Sequence, residues 1–391
     1  MIWWLHWLPT RKRFISMQFP DYSRCGVNIM ASVLRYFGTD NGHSGLPELD
    51  AILSRRKYRN VVLMLFDGLS MNALETHLSK DSFVRRQVAA VLSAVFPSTT
   101  TAATTSILSG LEPGNHGWIG WTLHFEKLGK SIDIFMNRLQ FSREMAGQQS
   151  VVMAQFPYTP VTEMITSSKK ASGRCVSPFE DVIVNNIDDL FIQTSRLMRE
   201  AGRHYIYAYW PEPDHLMHDK GCRHETVTRV IADIDRRLEA FLSQLEPDDL
   251  VLVTADHGLV DGIPEFFEDH PALEAMLRIP PCVEPRAAAL YVNEEHIEAF
   301  PQAFKAAFGD HYLLMNQKQA LESGLFGKGP MRAELPSLIG DFFAVSAGPY
   351  ALYQKREHCR LIGMHGGLAE AEMNVPLIVL RSDKGEELYS L

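Results

Sequence analysis

Six residues in this chain could hold metal ions, and one short stretch could supply a nucleophile beside them. Asp67, Asp214, His218, Asp256, His257 and His365 offer three carboxylates and three imidazoles, and zinc or similar ions take oxygen and nitrogen ligands of these kinds. Asp214 and His218 stand four apart, a spacing that brings both side chains to one ion from a loop or single turn, and Asp256 and His257 are adjacent. Each pair alone is weak, because a lone histidine after a strand is more often an ordinary hydrogen-bonded one. The stretch is residues 96–117, FPSTTTAATTSILSGLEPGNHG. Pro97 ends an apolar segment, Ser98 and the threonines Thr99, Thr100 and Thr101 follow, and residues 102–109 read as a helix closed by Gly110. A hydroxyl at a helix N-terminus stands where free N–H groups favour a phosphoryl oxygen. Simple capping by Ser98 or Thr99 is the structural alternative.

The elements around these residues place them at strand ends. Residues 60–66, NVVLMLF, form a continuous apolar run that suits a parallel strand covered on both faces, and it ends in Asp67-Gly68. A second such strand at 204–209 runs into Asp214 and His218, and a third at 250–254 ends in Asp256-His257-Gly258. Between the last two, residues 224–245 carry one apolar stripe at helical spacing. Strand, helix, strand is a crossover unit, so the fold class is α/β with a central, mostly parallel sheet flanked by helices. In open sheets of this kind, ligands bind beyond the carboxyl ends of the strands.

Residues 27–37 read as a lead-in helix, 150–154 as a short strand and 375–380 as a closing strand. Residues 262–345 break the rhythm with Pro264, Pro271, Pro280, Pro281 and Pro285, a strand at 287–292 and a helix at 295–308 that Pro301 should interrupt. The expected organisation is a catalytic domain of 17–261 plus 346–391 with 262–345 inserted as a cap that sets leaving-group choice. Residues 1–16 carry an apolar patch ahead of their basic residues, the reverse of a signal peptide, and are read as a flexible or non-native extension.

The 391 residues are 46% hydrophobic and 22% charged with a net charge of -9, an ordinary globular balance without the basic run that a nucleic-acid polymer would require. Five scattered cysteines without a CxxC spacing suit a reducing compartment, hence a cytoplasmic location. No stretch is read as transmembrane, and the oligomeric state is silent.

In this order, Asp67-Gly, Phe96-Pro-Ser-Thr-Thr100, Gly110-Leu-Glu-Pro-Gly-Asn-His-Gly, Asp214-x-x-x-His218, Asp256-His257-Gly and His365-Gly-Gly, the motifs resemble the alkaline phosphatase superfamily. Within it the chain is most similar to the nucleotide pyrophosphatase/phosphodiesterase branch. The resemblance implies Thr100 as nucleophile, one ion on Asp214, His218 and His365, and a second on Asp67, Asp256, His257 and the Thr100 oxygen. Zinc is what it implies for both ions, although these ligands also suit manganese. It further implies a small phosphorylated substrate, cleaved at a phosphodiester or pyrophosphate bond through a phospho-threonine.

Two departures bear on substrate. Trp121 stands where that branch usually has an asparagine for a phosphoryl oxygen, and Thr101 stands where it usually has an aromatic residue. Both are candidate substrate-pocket residues. No C/S-x-P-x-R nucleophile context of a sulfatase and no arginine beside Thr100 appear, which favours diesters, with phosphonates and monoesters as alternatives. A metal-binding protein without turnover is the reading from another class.

Overall fold

A strand buried along its whole length, Asn60–Phe66, lies at the centre of a seven-stranded sheet. A computed structural model describes residues 17–179 and 181–382, so the expectation for 1–16 lies outside the described residues. The central strand pairs in parallel with His204–Trp210 on one side and Asp249–Thr254 on the other. Beyond them Ser172–Ser177 and Val182–Ile183 continue in parallel, and Asn374–Arg381 and then Val88–Ser93 complete the other flank in antiparallel pairs. The sheet is therefore mostly parallel, as its continuous Val, Ile and Leu runs require of strands shielded on both faces.

Strand direction decides what meets at the edge. Asn374–Arg381 runs against Asp249–Thr254, so the residues before Asn374 emerge beside those after Thr254. Val88–Ser93 runs against Asn374–Arg381 in turn, so the chain leaving Ser93 emerges there too. Segments after Phe66, Ser93, Trp210 and Thr254, and the one before Asn374, thus share one edge.

The helix Glu225–Leu242 buries Val227, Ile231, Ile234, Leu238 and Phe241, the stripe seen in the sequence. The lead-in helix is Gly26–Tyr36. Residues 150–154, expected as a strand, lie instead in the helical segment Val151–Gln155, started by Ser150, whose side chain accepts from the Met153 amide at 3.3 Å. Pro301 does not interrupt a helix either. It sits in the first turn of Phe300–Phe308, where a missing N–H costs nothing, and residues 294–296 form a separate 3-10 turn.

The segment 262–345 feeds a second seven-stranded sheet, in the order Tyr312–Asn316, Phe342–Ser346, Ala287–Leu290, Cys282–Glu284, Thr122–Phe125, Lys130–Asp133, Arg138–Leu139. Its last three strands come from residues 122–139, so this layer is built from two parts of the chain. Phe300, Phe304 and Phe308 pack against Leu290, Phe342 and Ala344 to give it a core of its own.

Candidate metal centre and nucleophile

Asp67 follows the central strand directly, and its amide donates to the Trp210 carbonyl at 2.9 Å while its own carbonyl accepts from the Asp214 amide at 3.0 Å. The ends of two neighbouring strands are thereby tied together. Gly68 has φ 75°, and a Cβ there would lie 3.0 Å from the Asp214 Cα, so the Asp-Gly pair lets the two carboxylates approach.

Two groups result. In the first, the ligand atoms of Asp214, His218 and His365 all lie within 4.8 Å of one another. His218 Nε2 is 3.2 Å and His365 Nε2 3.9 Å from the Asp214 carboxylate. His218 donates from Nδ1 to the Gly363 carbonyl at 2.7 Å, which leaves Nε2 facing Asp214. In the second, Asp67, Asp256 and His257 meet the same limit, with His257 Nε2 at 3.6 Å from Asp67 and 3.4 Å from Asp256. The outer oxygens are already held: Asp67 Oδ2 accepts from Tyr209 at 2.6 Å, and Asp256 Oδ1 accepts from the Gly68 and His257 amides. The rings of His257 and His365 are 4.0 Å apart, so the groups adjoin.

Thr100 opens the helix Thr100–Ser109, which Gly110 closes in the left-handed region at φ 70°. Its Oγ1 is 3.1 Å from His257 Nε2 and 3.4 Å from Asp67 Oδ2. The sequence placed this helix two residues later; the structure makes Thr99 its N-cap, but the Thr99 side chain does not cap. Trp121 lines the cavity and is partly exposed, whereas Thr101 is fully buried and does not line it.

The electrostatics follow from burial. Burial pushes Asp67 well up, helped by the charges of Asp256 and Asp214, and Asp256 is raised by burial as well. Burial pushes Asp214 up too, but His218, and then His365 and His257, outweigh it and hold the carboxyl low. Burial lowers His218, yet Asp214 raises it to about 9, while burial and His257 hold His365 well down. Asp67 Oδ1, Asp214 Oδ1, Asp256 Oδ2 and His365 Nδ1 are buried without any hydrogen-bond partner. Unpartnered buried carboxylate oxygens are costly; a donor set of three carboxylates and three imidazoles converging from two sides fits a pair of divalent cations.

Three residues of the site's frame carried no signal in the sequence. Glu284 is buried, and burial pushes its carboxyl to about 7 even though Oε1 accepts from Thr99 Oγ1 at 2.6 Å and from the Trp121 amide at 2.8 Å. Arg286, fully buried, forms a two-pronged pair with Glu372 at 2.7 Å on both prongs. Glu372 in turn accepts from the Gly367 and Ala369 amides, and Ser98 donates to the Gly367 carbonyl. This network fixes the loop that carries His365. Only their place in the fold, not a motif, marks Glu284, Arg286 and Glu372.

Fold and site motifs together are those of the alkaline phosphatase superfamily. Within it, the chain belongs to the type I phosphodiesterase / nucleotide pyrophosphatase family, whose profile matches residues 61–368, and it is a hydrolase of that family. Among solved structures it is similar to murine ectonucleotide pyrophosphatase / phosphodiesterase 5, at 18% identity and a TM-score of 0.63 over 82% of this chain and 87% of that one. An inactive threonine-to-alanine variant of that murine protein, in complex with AMP, matches at 17% identity and a TM-score of 0.64 over 83% and 88%. Phosphonoacetate hydrolase from Sinorhizobium meliloti, in complex with phosphonoformate, matches at 18% identity and 0.60 over 83% and 91%. No curated protein sequence matches the chain.

Proposed function

We propose that the chain hydrolyses phosphodiester bonds with two divalent metal ions, zinc or manganese, and a covalent intermediate on Thr100. The observation that carries this reading is the position of Thr100 Oγ1, at a helix N-terminus and within 3.4 Å of both His257 Nε2 and Asp67 Oδ2. Asp214, His218 and His365 would hold one ion and Asp67, Asp256, His257 and Thr100 the other. When bound, such ions supply Lewis-acid stabilisation of phosphoryl charge and lower the pKa of a hydroxyl.

The chain's own residues do the rest. Thr100 presents its oxygen to phosphorus, and the first-turn N–H groups of its helix have no partners within the helix and can receive phosphoryl oxygens. The Thr100 oxygen forms a P–O bond as the ester P–O bond breaks, the hydroxyl proton passes to solvent and the departing alkoxide takes a proton from water. A second water then attacks phosphorus and breaks the bond to Thr100, restoring the hydroxyl. The net change is diester plus water to monoester plus alcohol. Glu284 and the Arg286–Glu372 pair position the stretch and the loop on either side.

The segment 262–345 supplies Pro281, Cys282, Val283, Glu284 and Pro285 to the wall of the cavity that opens from Thr100, which supports its reading as one element that shapes substrate choice. Cys25, Cys222, Cys282 and Cys359 are free thiols, in keeping with a reducing, cytoplasmic setting; among the described residues no helix is long and apolar enough to cross a membrane. Phosphonate hydrolysis, the activity in the name of one structural neighbour, is the second reading. Turnover of bis(p-nitrophenyl) phosphate by the purified chain, abolished by a chelator and restored by zinc or manganese, supports the diesterase. Turnover of phosphonoacetate alone would replace it.

A further inference from the structure

A cavity of about 1100 Å³ opens directly from Thr100, Asp214, His218 and His365 and runs out between Trp121, Phe135, Met136, Phe141, Met153 and Phe179. Each of these six large side chains is 39% exposed or more, and Phe179 reaches 70%. Apolar surface left in water is unfavourable, and a patch of this kind marks a place where something binds. Because the patch is continuous with the nucleophile, the occupant that fits it is part of the substrate.

Its chemistry is narrow. Phe135 meets the edges of Trp118 and Trp121 at 6.1 and 6.2 Å, and the Trp118 indole N–H is already given to the Phe156 carbonyl. Several polar side chains along the wall are committed in the same way, whereas Tyr207 Oη and His358 Nδ1, also on the wall, are buried without a partner. Gln140 donates to the Pro281 carbonyl, Thr122 to Asp133 and Thr104 to the Thr100 carbonyl. Those donors are therefore not free to read the edge of a nucleobase. The carboxylates of Asp133 and Glu284 also line the cavity, while Arg360 is the one arginine among the described lining residues, which include no lysine. Arg360 is exposed. A second phosphate would meet the Asp133 and Glu284 carboxylates with only the exposed Arg360 to hold it.

We propose that this cavity takes the uncharged, apolar ester arm, an alkyl or acyl chain, of a singly charged phosphodiester, in preference to a nucleoside or a pyrophosphate. The proposal rests on the diesterase reading above. Met136 and Met153, unbranched and polarisable, suit a flexible chain better than a rigid ring system.

The test uses the full chain with zinc on alkyl p-nitrophenyl phosphodiesters, methyl, butyl and octyl, beside the p-nitrophenyl ester of thymidine 5′-phosphate. The expected result is a rise in kcat/KM of at least about a hundredfold from methyl to octyl, since each buried methylene favours binding several-fold, with the thymidine ester slower than the octyl ester. Phe135→Ser and Met136→Ser should each lower the octyl-to-methyl ratio about tenfold or more. Equal rates for methyl and octyl, or a thymidine ester faster than both, overturn the proposal while chelator-sensitive turnover keeps the diesterase reading. Failure to cleave any diester ends both.

Discussion

Thr99 donates its hydroxyl to the buried Glu284 carboxylate at 2.6 Å, while the next residue, Thr100, turns its own hydroxyl toward His257 and Asp67. Adjacent side chains at the start of one helix thus serve opposite sides of the site. The division separates two threonines that sequence alone distinguishes only by register.

Thr99→Val keeps the shape and removes the donor. Glu284 then loses one of its two donors to Oε1, and an under-satisfied buried acceptor costs about 1–3 kcal/mol. Urea denaturation should show a loss of that size, with measurable diesterase activity retained. A fully inactive but stable Thr99→Val protein would move the nucleophile by one residue.

For the metal centre, elemental analysis after saturation with zinc and dialysis should give two equivalents in the wild type and about one in both His365→Ala and Asp256→Asn. Cations that bind only the folded state stabilise it by about 2.7 kcal/mol at a hundredfold excess over Kd, so the thermal midpoint should rise with added zinc. Two equivalents retained by both variants would remove these residues from the ligand sets.

Arg286→Met leaves the Glu372 carboxylate buried without its guanidinium, and breaking such a pair costs about 3–5 kcal/mol. Arg286→Met combined with Glu372→Met should recover part of that loss, because no lone charge remains. Since Glu372 also holds the Gly367 and Ala369 amides, the double variant should stay slow in turnover even where it is stable. A double variant with wild-type kcat would reduce the pair to a packing element.

His116, the histidine of the glycine-rich motif, accepts from the Trp118 amide at Nδ1, so it donates from Nε2 to Ser106 Oγ at 3.0 Å. Burial lowers it from the usual 6.5 to about 3. Between those values the unfolded chain binds a proton that the folded chain does not, so stability falls as pH drops from 6.5 toward 3. This one group contributes about 1.4 kcal/mol per pH unit there. His116→Gln should flatten the stability curve between pH 4 and 6 by about that slope, measured against wild type in urea. Parallel curves for the two proteins would contradict this role.

The central layer was legible because its signals are local. Residues 60–66, 204–210 and 249–254 are buried runs with apolar centres, and the turns after them carry the metal-type residues. The second layer was legible only in part: the strand read at 287–292 is Ala287–Leu290, but its partners were not. The layer's strands are mostly four or five residues long, and the pairing that joins its two parts, Val283 with Thr122, closes over a long stretch of chain, so nothing in a short window records such a partner. Residues 150–154 show the same limit, since a short apolar run has no period to separate strand from helix. Glu284, the last residue of one strand, and Arg286, just ahead of the next, acquire their roles only when that layer meets the loop of His365. Thr101, adjacent to Thr100 in sequence, is turned into the protein by the helix it helps to start.

The most direct measurement is of the covalent intermediate. Rapid acid quench of the enzyme during turnover of a diester, followed by protease digestion and mass spectrometry, should find the phosphoryl ester on Thr100. In the Thr100→Ala variant it should vanish along with activity, reduced by several orders of magnitude as when one member of a catalytic unit is removed, while folding is kept. An adduct on Thr99 or on a histidine, or undiminished turnover by Thr100→Ala, would contradict the account.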